Sequence, residues 1–243
     1  MKKITFNTIL LLFTNIFVYS THADSIRFQT ISFTYNISGE ELITIGTGVG
    51  SYEGFPEGDV VLGGIPYIIP SKIDNYWSAR HSSGENPRYI DISINIFAVI
   101  EVHTLINNYW GQEGNSYAYI EFFGSNGAYH KIDLFGNDHI RDYNEAYWTN
   151  TINRNTTIEV FNNGKGQRLD KQLFKLPVEF STQKLDKIRL SDNGGTEFQR
   201  IFLAGLTVGV KECVSGDFND DGILSLEDII GTLQFLSGLS DKD

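Results

Sequence analysis

Alternation of apolar and polar residues dominates the chain from about residue 24 to residue 210. In residues 89–96 every second residue is apolar, which is the period of a half-buried β-strand. The same alternation predicts strands over residues 117–123, 128–135, 157–161, 187–190 and 198–210. The Gly-Ser-Asn-Gly run at 124–127 lies between two of these strands and predicts a hairpin.

Many short strands separated by turns, with no helical period before residue 220, predict an all-β domain built as an antiparallel sandwich or barrel. The β region spans about 187 residues, which suits a jelly-roll β-sandwich of about eight strands.

The amino-acid composition limits the classes of partner and of stabilising site that we expect. The chain has 243 residues, with 19 Lys and Arg against 30 Asp and Glu, and a formal net charge of −11. This acidic balance argues against nucleic acid and against an anionic membrane surface, because both attract positive charge. The single cysteine excludes an intramolecular disulfide framework and Cys-based zinc sites.

The first residues have the parts of a secretory signal peptide. Lys2 and Lys3 precede an apolar run over residues 9–19, and Thr21-His22-Ala23 follows with a small residue at its end. We expect cleavage near Ala23, a secreted or periplasmic mature chain and no membrane span in that mature form. An uncleaved anchor is the alternative, although the run is short for a membrane span.

Catalytic motifs are missing from the sequence. It contains no G-x-S-x-G, H-E-x-x-H or P-loop pattern. His81, His103, His130 and His139 are scattered, and His103 and His130 fall within predicted strands. We therefore assign no catalytic residue and favour a non-catalytic protein. A pair of carboxylates facing each other across a cleft, as in a glycosidase, is the alternative.

Aromatic loops offer candidate sugar contacts. Flat rings stack on the apolar faces of sugars, and planar polar groups read their hydroxyls. The predicted ligand-binding residues are Tyr109, Trp110, Arg141, Tyr143, Tyr147 and Trp148. Nearby polar side chains are candidates for binding the sugar hydroxyls: Asn107, Asn108, Gln112, Asn144 and Asn150. In the alternative interpretation these aromatics cover the ends of the sandwich.

The most specific motif is an acidic loop near the C-terminus. Side chains at positions 1, 3, 5, 9 and 12 of such a loop, and the backbone carbonyl at position 7, converge on one cation. The predicted ligands are Asp217, Asn219, Asp221, Ile223, Ser225 and Asp228. Gly222 stands at position 6, where the chain turns sharply. Hard oxygen ligands with three carboxylates favour Ca²⁺ over Mg²⁺.

A helix is predicted directly after this loop. Leu226, Ile229, Ile230, Leu233 and Leu236 fall on one helical face, and Ser225 is placed to cap the N-terminus. A second, structural calcium site over Asp133, Asn137, Asp138 and Asp142 is a further hypothesis.

Two resemblances follow from these residues. Residues 216–237 resemble a single repeat of a type I dockerin, the EF-hand-like calcium module of cellulosome enzymes. That resemblance implies calcium binding and a cohesin-like or surface protein partner. Residues 117–129, 138–143 and 198–208 resemble galactose-binding-like jelly rolls, the architecture of many carbohydrate-binding modules in secreted bacterial proteins. That resemblance implies the fold and no particular ligand.

These inferences predict three segments: a signal peptide at 1–23, a β-sandwich at 24–210, and a linker with a calcium loop and helix at 211–243. The expected function is that of a secreted, calcium-binding, non-catalytic protein that binds carbohydrate or associates with a surface. One alternative is a component or enzyme of extracellular polysaccharide degradation, attached through the dockerin-like tail. Another is a structural extracellular interaction protein.

Overall fold

The computed structural model describes residues 26–36, 54–71, 74–79, 88–111, 113–114, 116–146, 149–193, 199–212 and 225–237. Contacts divide the chain into two compact units, residues 26–212 and the remainder. The predicted signal peptide lies outside the described residues. Within the described residues, no helix is both long and apolar enough to cross a membrane.

The larger unit consists almost entirely of strands. They are β1 (Ile26–Thr30), β2 (Gly58–Leu62), β3 (Ile65–Ile69), β4 (Trp77–Ser78), β5 (Arg88–Phe97), β6 (Val99–Tyr109), β7 (Ser116–Gly124), β8 (Tyr129–Phe135), β9 (Thr157–Asn162), β10 (Arg168–Lys175), β11 (Lys184–Asp192) and β12 (Arg200–Lys211). A 3₁₀ helix, Val178–Thr182, precedes β11.

The strands form two antiparallel sheets and a hairpin. The first sheet has the order β1-β12-β6-β10-β9, with β4 beside β12, and the second has the order β5-β11-β7-β8. Strands β2 and β3 pair as a separate hairpin. When the hairpin, β4 and β9 are set aside, the other eight strands pair in the orders 1-8-3-6 and 2-7-4-5. This is jelly-roll order, so the predicted all-β antiparallel sandwich is confirmed.

The main core combines the inward residues of both sheets. Ile92, Ile120 and Ile188 of the second sheet and Val102 and Val208 of the first are each at most 3% exposed and belong to one cluster. Since strand side chains alternate between the two faces, these buried residues follow from the alternation seen in the sequence.

A second cluster buries part of the first sheet on its other side. Tyr67 of β3 packs there with Leu105 of β6 and Phe202 of β12. A Cβ atom on Gly205 would lie 2.8 Å from the Tyr67 ring and 3.0 Å from Leu105. Glycine at this position therefore lets the hairpin approach β12 closely.

The six predicted strands correspond to β5, β7, β8, β9, β11 and β12, with ends that differ by up to three residues among the described positions. The predicted hairpin joins β7 to β8, where Gly127 has a φ of +85°. The other six strands, β1 to β4, β6 and β10, were not predicted. Asn107 and Asn108, the candidate polar contacts beside the aromatic loops, are both buried in β6.

The C-terminal helix is confirmed as α1 (Leu226–Leu236). The Ser225 Oγ accepts a hydrogen bond from the Glu227 N–H (3.1 Å), and the Asp228 Oδ2 accepts one from the Ser225 N–H (2.7 Å). Ser225 is thus the N-cap of a capping box, in agreement with its predicted capping role.

Candidate functional site

Two of the predicted sugar-stacking rings lie in the second core cluster. Tyr109 ends β6 and Tyr143 follows β8, and each is 2% exposed. Their ring centroids are 5.0 Å apart, and Phe202 lies 5.7 Å from Tyr109. Burial raises the pKa of Tyr109 well above its ordinary value. These rings therefore pack the fold and offer no face to a sugar.

Trp110 keeps part of its surface exposed. Its backbone lies in the left-handed region, with a φ of +52°, and its N–H donates to the Asp142 Oδ2 at 2.8 Å. Tyr147 and Trp148 lie outside the described residues. Of the three predicted aromatic contacts that are described, Tyr109 and Tyr143 are buried and Trp110 is partly exposed to solvent.

Arg141 lies where the first sheet splits. Strand β10 pairs with residues 101–105 of β6, and residues 141–143 take its place beside Asn108. The Asn108 N–H donates to the Arg141 carbonyl at 3.1 Å, and the Tyr143 N–H donates to the Asn108 carbonyl at 3.0 Å. Polar groups from two strands and a loop meet at this split.

Buried carboxylate contacts fix the Arg141 guanidinium. Its Nε donates to the Asp170 Oδ2 at 2.8 Å, and its Nη2 donates to the Asp170 Oδ1 at 2.7 Å. The Nη2 also donates to the Glu159 Oε2 at 2.7 Å, and the Nη1 donates to the Asn150 carbonyl at 3.1 Å. Asp170 is fully buried and also accepts from the Asn107 Nδ2 at 2.7 Å. The guanidinium therefore has a single orientation.

Asp142 is a second buried carboxylate at the split. It is 1% exposed, and its two oxygens accept from the N–H groups of Trp110 and Asn144, each at 2.8 Å. Burial raises the pKa of Asp142 to about 7, although those hydrogen bonds act in the opposite direction. A substantial fraction of this carboxyl group is therefore protonated near neutral pH.

A pocket of about 460 Å³ opens beside this network. Its lining combines charged, amide, hydroxyl and aliphatic side chains: Arg141, Asn150, Thr151, Ile152, Arg154, Ile158 and Glu159. Among the described residues that line it, none is aromatic. Of the predicted ligand-binding residues, this pocket contains Arg141.

The outward side of the second sheet presents a different surface, which we name the open face. Cross-strand register places its side chains in three rows over β5, β11, β7 and β8. These rows are Tyr89–Ser191–Tyr119–Asp133, Asp91–Arg189–Glu121–Lys131 and Ser93–Lys187–Phe123–Tyr129. The middle row is charged throughout, and the two rows beside it contain the aromatic residues.

Cations of the open face lie against its rings. The Arg189 guanidinium carbon is 4.1 Å from the Tyr89 ring centroid, and the Lys131 Nζ is 4.2 Å from that of Tyr119. The Lys187 Nζ is 4.5 Å from the Phe123 ring centroid. Such cation–π contacts hold the rings in place.

Carboxylates balance these cations. The Asp91 Oδ1 and Oδ2 accept from the Arg189 Nε and Nη2 at 2.6 and 2.8 Å, which lowers the pKa of Asp91. The Tyr129 hydroxyl donates to the Glu121 Oε1 at 2.7 Å, and this bond raises the pKa of Tyr129 to about 12. The three rows contain three cations, Lys131, Lys187 and Arg189, and three carboxylates, Asp91, Glu121 and Asp133, so their net charge is zero.

The sequence analysis missed the open face, although a signal for it exists. Tyr89 and Tyr129 are 55% and 53% exposed, and Phe97 and Phe135 are 48% and 38% exposed. All four aromatics lie at the outward-facing positions of β5 and β8, where the other residues are polar. Aromatic rings at outward-facing strand positions indicate either a binding surface or a surface that another part of the chain covers.

Two predicted calcium ligands fall among the described residues. Asp228 is 1% exposed, and its Oδ2 accepts from the Ser225 N–H and from the Ser225 Oγ at 3.0 Å. The carboxylate thus turns back toward the start of α1. Asp217, Asn219, Asp221 and Ile223 lie outside the described residues.

A second calcium site is not supported by residues 133–142, all of which are described. Asp133 pairs with Lys131 at 3.1 Å, and Asp142 accepts from backbone N–H groups. Within the described part of the chain, no three His, Cys, Asp or Glu side chains converge as metal ligands.

Comparison of the sequence with protein-family models and with curated proteins found no match. The candidate sites therefore rest on the residues themselves.

Proposed function

We propose that this protein is a secreted, non-catalytic carbohydrate-binding protein whose open face contacts a glycan and whose C-terminal loop binds Ca²⁺. The observation that carries the proposal is the open face itself. Half-exposed aromatic rings lie on a sheet face that none of the described elements covers, beside charged groups that are able to bind hydroxyls.

Physical chemistry favours a sugar on such a surface. Tyrosine combines an apolar ring with a polar tip, which suits a surface that stays wet. Tyr89 already has a cation against its ring and Tyr129 has a fixed hydroxyl, so binding would immobilise few additional rotamers. These features support glycan stacking on the open face.

The net charge of the open face and the spacing of its tyrosines favour a neutral, extended glycan as the ligand. The open face has no net charge to attract an acidic polymer. Tyr89 and Tyr119 share a row and are two strands apart, a separation of about 10 Å at normal strand spacing. That separation is close to the length of a disaccharide.

The test is a glycan array with neutral polysaccharides, followed by affinity measurements on Tyr89→Ala and Tyr129→Ala. We expect each substitution to weaken binding by about 1–3 kcal/mol and to leave the fold intact. Trp110→Ala is the matched control for the loop site. Loss of binding in that variant alone would move the site to the loops, and an array without hits would refute glycan binding.

Calcium binding by residues 217–228 is the second part of the proposal. The capping box and the inward carboxylate of Asp228 support it, because a bound cation and the helix N-terminus would share this residue. An isolated helix of 11 residues is marginal, so Ca²⁺ should stabilise α1 by mass action. We expect chelation, or Asp217→Ala, to increase proteolysis after residue 212 and to leave the sandwich intact. Calorimetry that detects no calcium binding would contradict this part.

Secretion is the third part and rests on the N-terminal sequence. Protein recovered from the periplasm or the medium should begin at Asp24. Retention of Met1 in a cytoplasmic protein would contradict it.

Attachment through the tail is the second candidate function. The apolar side chains of α1 are strongly exposed, with Ile229, Leu233 and Leu236 at 57%, 59% and 75%. This exposure favours a partner on α1, either a cohesin-like module of a polysaccharide-degrading assembly or another surface protein. Calcium-dependent capture of a cohesin by the wild-type protein, lost in Leu233→Asp, would support this alternative.

A further inference from the structure

We propose that the pocket beside Arg141 is a second ligand site, separate from the open face, that takes a carboxylate-bearing sugar of the hexuronic acid class. The described residues of its lining include two arginines and one glutamate, a net charge of +1 in a chain whose net charge is −11. The pocket is thus a local attraction for a single negative charge.

Arg154 supplies the primary anion contact. Its guanidinium makes no hydrogen bond or ion pair with any residue of the described segments, although it lines the pocket. Its φ is +60°, in the left-handed region that arginine rarely adopts. The Asn153 side chain holds this turn, because its Oδ1 accepts from the N–H groups of Asn155 and Thr156, each at 2.9 Å. Strain of this kind is concentrated at functional sites.

Arg141 supplies the second contact. Its side chain is 9% exposed, and Asp170, Glu159 and the Asn150 carbonyl fix its orientation. The Nη1 carries two hydrogens and donates one to Asn150. Within the described residues the other has no acceptor. A buried guanidinium with a spare N–H at a pocket wall is preorganised to receive an oxygen.

Glu159 and the aliphatic residues select among anions. The Glu159 carboxylate repels a dianion such as phosphate, yet it accepts hydrogen bonds from sugar hydroxyls. Ile152 and Ile158 give the pocket an apolar wall, and Ile158 is 38% exposed. A ring with one carboxylate, several hydroxyls and an apolar face satisfies all three requirements.

The experiment titrates the mature full-length protein with glucuronate while the backbone amide resonances are followed by NMR. Glucose, acetate and inorganic phosphate are titrated in parallel. We expect glucuronate to shift the amides of Thr151, Arg154 and Ile158 and to bind at least tenfold more tightly than the other three compounds. Acetate or phosphate binding as tightly as glucuronate, or shifts elsewhere only, would overturn the proposal.

Arg154→Ala should weaken glucuronate binding by about ten- to a hundredfold, the effect of losing a charged hydrogen bond. Arg154→Lys keeps the positive charge but not the planar guanidinium, and it should lose less glucuronate affinity than Arg154→Ala. Arg27→Ala is the control, because Arg27 is exposed on β1 at the opposite edge of the first sheet. Unchanged affinity in Arg154→Ala would refute the site. Tyr89→Ala should leave glucuronate binding intact, so failure of the open face and failure of the pocket are distinguishable.

Discussion

Two arginines of the described sandwich residues, Arg141 and Arg189, are each held by an aspartate. Arg141 binds both oxygens of Asp170 at the split of the first sheet, and Arg189 binds both oxygens of Asp91 on the open face. The four distances differ little, from 2.6 to 2.8 Å. Burial separates the pairs, because the Asp170 side chain is 0% exposed and that of Asp91 is 36% exposed.

The same geometry therefore has different consequences in the two regions. At the split the charges have lost their water, so each depends on its partner and the pair acts as a structural element. On the open face water screens the charges, and the pair contributes little to folding. Its atoms remain accessible to a ligand.

The largest expected effect is at the split. Asp170→Ala leaves the Arg141 guanidinium buried without its main partner and should destabilise the protein by about 3–5 kcal/mol. Chemical denaturation measures this change. Asp170→Asn, which keeps the hydrogen-bonding shape, should be milder and serves if the alanine variant does not fold. If both variants lose less than about 1 kcal/mol in the free energy of unfolding, the buried pair is no more important for stability than the exposed pair, and the comparison fails.

The next effect depends on pH through Asp142. Its pKa is raised in the folded state to about 7 from an ordinary value of 3.8. Stability from the protonated group is thus fully present below pH 3.8 and is lost as the pH rises through 7. The loss should be on the order of 2–4 kcal/mol across this window.

Asp142→Asn is neutral at every pH and should lack this slope. Urea denaturation of both proteins at pH 4.5 and pH 7.5 measures the difference. Parallel pH profiles would contradict a raised pKa at this position.

The smallest effect on stability is expected on the open face. Asp91→Ala should change the free energy of unfolding by only about 0–1 kcal/mol, because the pair is solvated. The same denaturation assay applies, with Asp170→Ala as the internal standard. A loss comparable to that standard would mean that the open face is structural.

The comparison also explains which elements the sequence predicts. Strands β5, β7, β8 and β11 have one face in the core and one in water, so their residues alternate and the pattern is readable. Strands β6 and β10 carry Asn107 and Asp170, which are buried and form hydrogen bonds with Arg141. Those contacts join residues more than 25 positions apart, so no local pattern reports them.

The candidate site residues also fall into two groups, those predictable from local sequence and those that depend on tertiary contacts. The capping box of Ser225 and Asp228 is local and was predictable from spacing alone. The burial of Tyr109 and Tyr143 was not predictable, because it depends on the approach of the β2–β3 hairpin and of Phe202. The open-face aromatics were visible in the alternation, but recognising them as one surface required the register of four strands.

The position of β12 in the first sheet bears on the order of events during synthesis. This strand lies between β1 and β6, and Ile26 pairs with Lys211 across 185 residues of chain. Among the described strands β12 is the one that pairs with β1, so the first sheet remains open at that edge until residues 200–211 leave the ribosome. Pairing over such sequence distances is slow. The first sheet is therefore completed only after nearly all of residues 26–211 have been synthesised.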